Sequence, residues 1–169
     1  MKKLNKITLN AMLAVIAVAV SALEGFLPVL SFMPPGAKLG LSNIVSMYAS
    51  KVLGIYYALG IVLVKSLFVL ATRGVTAFFM SISGGLVSTV ITAILLNKEN
   101  RKTGFVGIGI IGAVTHNTAQ IMVAALITNS GVFYYIPFLV LASCITGFVT
   151  GVLLYILLKT VNIEAWRGR

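Results

Sequence analysis

Long apolar runs, separated by short stretches rich in charge, glycine or proline, set the pattern of this chain. A helix that crosses a bilayer needs about 20 mostly apolar residues, and the runs at 7–30, 75–96, 105–128 and 132–158 meet that length. A fifth run, 55–72, is slightly short and carries Lys65. The sixth, 39–53, is the unusual one. Its uncharged part, Leu39–Ser50, would rise only about 18 Å as a helix and contains Ser42, Asn43, Ser46 and Ser50. A short protein-covered span or a re-entrant segment both suit it. Between the first two runs, "FLPVLSFMPPGAKLG" holds three prolines and two glycines, which break helices and predict an ordered loop at one membrane face.

Six spans put both termini on one side, and the basic residues then give the orientation, because cytoplasmic loops carry an excess of Lys and Arg. Lys2, Lys3, Lys6, Lys51, Lys98, Arg101, Lys102, Lys159, Arg167 and Arg169 fall on the side of the termini, against Lys38 and Arg73 in the opposite loops. Both termini are therefore expected in the cytoplasm. Five spans would split the charges of "NKENRKTG" from those of the N-terminus.

Composition agrees with this pattern. The 169 residues are 59% hydrophobic and 9% charged, with a mean hydropathy of +1.07, where a soluble domain carries about 25% charge. The expectation is an all-α, multi-pass protein of the cell membrane: one compact six-helix domain over 1–169, without internal repeats. The net charge of +10 would suggest nucleic acid in a soluble chain; here it serves topology, and no nucleic-acid partner is expected. The basic, apolar N-terminus is read as a retained first helix. Cys144 is the sole cysteine, so an internal disulfide is excluded and packing is its expected role.

Polar residues inside the runs are the candidates for function. Glu24 lies toward the outer end of the first span, Asn43 at the outer start of the second with Lys38 just before it, and Lys65 past the middle of the third. His116, Asn117 and Gln120 lie at or beyond the middle of the fifth. Helical spacing puts Gly112, His116 and Gln120 on one face, and Lys65 and Arg73 on another. Charges in a bilayer cost about 2.5–3.5 kcal/mol each on insertion scales and face a partner or a cavity, so their collection in one half predicts a pocket open to the outside. Two readings stand at Glu24, which either pairs with Lys38 or Lys65 or meets a ligand. His116 is likewise either a packing hydrogen bonder or a ligand contact. Arg73 is read as snorkelling to the interface, and Phe68, Phe78, Phe79, Phe133, Tyr134 and Tyr135 as lipid or interface contacts, the two tyrosines also bordering a pocket mouth.

Small residues predict helix contacts: Ser143, Gly147 and Gly151 on the last span, Ser81 with Gly85 and Gly84 with Ser88 on the fourth, and Ala11, Ala14, Ala17 and Ser21 on the first. The last set offers a smooth face to a neighbour, in this chain or another. Catalysis finds little support. With no aspartate, one histidine and one cysteine, neither a usual metal cluster nor a serine–histidine–aspartate triad can be assembled. No P-loop is present either. No catalytic residue, metal or cofactor is expected, and the chain is not read as an enzyme.

The segments "PPGAKLGLSNIV" (34–45), "SISGGLVST" (81–89), "GAVTHNTAQIMVAAL" (112–126) and "TGFVTGVLLY" (146–155) resemble the family of heptaprenyl diphosphate synthase component I, also called the Gx transporter family. The resemblance covers nearly the whole chain and rests on Pro35, Gly36, Ala37, Lys38, Leu39, Gly40, Leu41 and Asn43, then Gly112, Ala113, His116, Asn117 and Gln120. That family looks related to the S components of energy-coupling-factor transporters, six-helix proteins that capture a small molecule from outside and dock on a transmembrane coupling subunit driven by two ATPases. The resemblance thus implies an importer subunit embedded in membrane lipid, binding its substrate at Glu24, Lys38, Asn43, Lys65, His116, Asn117 and Gln120 and docking through Ala11, Ala14, Ala17 and Ser21. Two positions depart from the pattern. The alanines of the first span stand three apart instead of four, and Lys65 occupies a place that is arginine in many relatives, keeping charge but losing the planar fork. The family name implies a rival role, a non-catalytic membrane accessory of heptaprenyl or other polyprenyl diphosphate synthesis; the absence of aspartate excludes the aspartate-rich catalytic subunit itself.

Overall fold

The computed structural model describes residues 3–26, 40–97, 104–128, 131, 134 and 136–160. They form helices α1 (Lys3–Glu24), α2 (Asn43–Val52), α3 (Ile55–Arg73), α4 (Val75–Asn97), α5 (Phe105–Thr128) and α6 (Ile136–Thr160). Five of these, all but α2, are long and apolar enough to cross a membrane. Lys38, Phe133 and Tyr135 lie outside the described residues, as do the prolines between the first two helices. The described residues form an all-helical membrane bundle.

Helix boundaries follow local chemistry. Gly54 and Gly74 adopt φ of +106° and +85°, a region that side chains with a Cβ avoid. Each reverses the chain with almost no connecting residues, so α2, α3 and α4 run up and down in immediate succession. α1 ends at Glu24, whose carboxylate is taken inward as α2's partner.

α2 is ten residues long, about 15 Å, half of what a hydrocarbon core requires. It survives because protein surrounds it: Asn43 and every residue from Val45 to Ser50 are buried, and α1, α3, α4 and α6 all touch it. The remainder of the molecule is built inside out relative to a water-soluble bundle. Ser21, Ser46, Ser66, Ser88, Thr89, Thr92 and Thr150 are at most 4% exposed, whereas Leu126, Ile145, Leu141 and Met122 are 60–90% exposed. That inversion suits lipid as solvent, because aliphatic side chains gain nothing by leaving it.

The buried hydroxyls are satisfied along their own helices or across to a neighbour. Ser46 and Ser50 donate to the carbonyls of Asn43 and Met47, and Thr92 to that of Ser88. Thr89 reaches Ser46 at 3.3 Å, tying α4 to α2, and Ser66 reaches Ser81 at 3.3 Å, tying α3 to α4. At the other end of α2, Lys51 Nζ donates to the Leu96 carbonyl at 2.8 Å, placing a cation on the electronegative terminus of α4.

α5 and α6 pack backbone to backbone. A Cβ on Gly147 would stand 2.5 Å from Ile110 Cα, and one on Gly151 2.6 Å from Val106 Cα. Leu139 meets Ile121 and Ala124 toward the opposite end, with Met80 of α4 completing the cluster. Gly147→Val is therefore expected to destabilise the bundle by at least about 2 kcal/mol through overpacking. Gly104→Ala, with nothing within 4 Å, should stay within about 0.5 kcal/mol. Reversible unfolding in mixed detergent micelles measures both.

Candidate binding site at the start of the short helix

A helix begins with unsatisfied backbone N–H groups, and in the interior of a membrane bundle no water meets them. At the start of α2, Asn43, Ile44 and Val45 donate into a tight turn to the carbonyls of Gly40, Leu41 and Ser42. The N–H of Ser42 instead donates to Glu24 Oε1 at 2.8 Å. Glu24, 1% exposed, thus acts as an N-cap supplied by another helix, a carboxylate at the electropositive end of α2.

Lys65 enters the same cluster from α3. Its Nζ donates to Asn43 Oδ1 at 2.7 Å and to Ser42 Oγ at 3.3 Å, and it is 3% exposed. The carboxylate of Glu24 acts on it electrostatically, so a buried cation is balanced across one residue of backbone. Lys65 also fixes the Asn43 amide: with Oδ1 accepting from the ammonium, Nδ2 is the end turned the other way.

That other way lies α5. Gly40, at φ +84°, sits between: a Cβ there would be 2.9 Å from Asn43 Nδ2 and 3.1 Å from His116 Cδ2. Gly84 of α4 backs the imidazole from the far side, where a Cβ would meet Nδ1 at 2.8 Å. Two glycines from different segments thus make the slot for His116. Gln120, one helical turn on, is hydrogen-bonded to His116 Nε2 at 2.6 Å.

Six residues therefore gather within one continuous neighbourhood: Glu24, Ser42, Asn43, Lys65, His116 and Gln120. Asn117 does not join them. One position round α5 from His116, it turns to α6 and donates through Nδ2 to Ser143 Oγ at 2.7 Å. Lys38 lies outside the described residues. Arg73 lies with its guanidinium against Gly25 at the C-terminus of α1, a position favourable for a cation. Of the small-residue face on α1, Ala17 and Ser21 are at 0% exposure, Ala17 packing with Val45, Ala49, Ala58 and Ile61 of α2 and α3. Ala14 is partly buried beside them, and Ala11 is exposed. Ala17 and Ser21 thus meet this chain's own core, while Ala11 faces outward.

Ser42 and Gly40 gained no individual role from the sequence, and Gly84 was expected only as a helix contact, which it makes against α5. A serine directly before a helix start was the available signal for Ser42; the glycines' part depends on which helix His116 meets. The cavity that reaches Asn43 is small, about 10 Å³, and is bordered by Gly40, Met47, Ser88, Thr92, Gly112, Thr146 and Thr150. Such a volume suits about one water. Among the described residues no group of three or more His, Cys, Asp or Glu is arranged to hold a metal ion.

Five apolar spans wrapped round a short helix whose start gathers charges define a multi-pass membrane protein with an enclosed polar centre. More narrowly, residues 13–157 match the family model of heptaprenyl diphosphate synthase component I, and the chain belongs to that family. No curated protein and no solved structure matches the chain.

Lys65→Met should destabilise the protein by about 2 kcal/mol or more, because it strands the Asn43 carbonyl and a buried carboxylate. The double variant Asn43→Leu with Lys65→Met should cost less than the two single changes combined, by about 1 kcal/mol or more. Micellar unfolding of the four proteins gives that coupling, and strict additivity would contradict the contact.

Proposed function

We propose that this chain is a substrate-capturing membrane subunit, acting like the S components of energy-coupling-factor importers, and that the cluster at the start of α2 binds a small acceptor-rich or anionic molecule. The observation that carries the reading is Asn43 Nδ2. It is buried and without a hydrogen-bond partner among the described residues, while its orientation is held by Lys65. A buried donor left unmade costs about 1–3 kcal/mol, and a donor beside an ammonium suits a carboxylate, phosphate or similar acceptor. His116 lies across Gly40 from that donor, with Gln120 bonded to His116 Nε2. Loading anything larger than a water parts the leading turn of α2 from α5, with Gly40 as the residue that gives way. The energising partner in this reading is a transmembrane coupling subunit with two ATPases.

The family's description favours a second role, a non-catalytic membrane accessory in heptaprenyl diphosphate synthesis. A diphosphate would meet the same Lys65 and Asn43 groups, so the two readings share ligand chemistry and differ in partner.

Native mass spectrometry of the protein purified from its own membranes in mild detergent tests both. A small bound mass is expected on the wild type and absent from Asn43→Leu and Lys65→Met, with micellar unfolding confirming that the variants remain folded. Copurifying ATPases support the importer; a copurifying soluble prenyl synthase supports the accessory. A bound mass retained by both folded variants would refute the site.

A further inference from the structure

The second polar centre of the bundle faces a different direction and carries a different chemistry. Between α5 and α6 a groove of about 130 Å³ is lined by Val114, Thr118, Ile121, Met122, Leu139 and Val140, with Asn117 and Ser143 among its walls. Its rim is open: Met122 is 61% and Val140 47% exposed, and both stand on helices apolar enough to span a membrane. The groove therefore opens to hydrocarbon and not to water.

The hydrogen bonds inside it fix what is missing. Ser143 spends its hydroxyl hydrogen on the Leu139 carbonyl, so its oxygen accepts from Asn117 Nδ2. The Asn117 amide is thereby oriented with Oδ1 left over, and that atom is buried with no partner among the described residues. Thr118 is engaged with the Val114 carbonyl and does not supply the donor. Asn117 lines this lipid-facing apolar groove while its unmet acceptor lies just beneath the groove's surface, so an apolar molecule that brings a single hydrogen-bond donor reaches it as the side chains between α5 and α6 part.

We infer that the α5–α6 groove binds a long-chain alcohol from within the bilayer, its hydroxyl donating to Asn117 Oδ1 and the first part of its chain lying between Ile121, Met122, Leu139 and Val140. Depth selects this class over a glycerolipid. Asn117 lies halfway along α5, about 18 Å from either end, whereas the hydroxyls of glycerolipids are held at the headgroup level of a hydrocarbon layer about 30 Å thick. A single-chain alcohol has no such anchor. This site is separate from the α2 cluster: Asn117 turns to Ser143, and neither His116, Lys65 nor Asn43 lines the groove.

The full-length protein in phosphatidylcholine vesicles, labelled with hexadecanol carrying a diazirine near the hydroxyl, provides the test, with the methyl ether of the same probe as control. Crosslinks are expected on the α5 and α6 segments that line the groove, with the alcohol exceeding the ether about fivefold, the worth of one ordinary hydrogen bond. Val140→Phe, on the exposed rim, should fill the groove and abolish labelling; Asn117→Leu should erase the preference for alcohol over ether. Equal labelling by alcohol and ether in the wild type overturns the proposal and leaves a trapped water as the Asn117 partner. Labelling unchanged by Val140→Phe, or a groove closed to both probes because two copies pair across it, overturns it as well. The wild-type comparison and Val140→Phe decide the matter even if Asn117→Leu fails to fold.

Discussion

The structure turns on one hydrogen bond, from the backbone of Ser42 to the carboxylate of Glu24. Hydrocarbon offers nothing to the open end of a helix, and each unsatisfied group there costs several kcal/mol. A full-length span places its ends near the interface, where water serves them. α2 is too short for that, so its start lies within the bundle and a partner must come from another part of the chain. Glu24 meets the need, which carries a charge into the interior, and Lys65 balances that charge while binding Asn43. The polar centre thus follows from the shortness of α2.

Enclosure of α2 in turn dictates the rest of the packing. Helices that wrap a ten-residue core helix must approach it and one another closely, which small residues permit. Ala17 and Ala49 are fully buried at the contact of α1 with α2, Gly84 makes the slot for His116, and the Gly109, Gly147 and Gly151 contact joins α5 to α6. Serine and threonine take the remaining inner positions because they are small and can return their hydroxyls to their own helix. The large aliphatics are displaced outward, where lipid accepts them. Chemistry that a soluble protein would display in a surface cleft is here held at the centre of the bundle.

Two leftover hydrogen-bonding groups distinguish the two polar centres. At Asn43 a donor remains beside an ammonium, so the unmet demand is for an acceptor, with charge favouring an anion. At Asn117 an acceptor remains beside apolar side chains, so the unmet demand is for a neutral donor carried by hydrocarbon. The two residues belong to neighbouring helices, yet a rotation of about 100° between successive positions of α5 sends His116 toward α2 and Asn117 toward α6.

The length of the apolar runs was enough to determine the membrane class, the five long helices and the unusual character of the segment at 39–53, because crossing hydrocarbon requires about 20 mostly apolar residues. Glu24, Asn43, Lys65, His116 and Gln120 were legible as candidates for the same reason: each is a polar residue that hydrocarbon would reject. Their partners were not legible. That Glu24 caps α2, that Gly40 and Gly84 frame the imidazole, that Asn117 leaves the group for Ser143, and that Ala17 faces the chain's own core are consequences of how the helices are rotated and which one each meets. Those angles arise from close packing between residues far apart in the chain, and no local pattern encodes them.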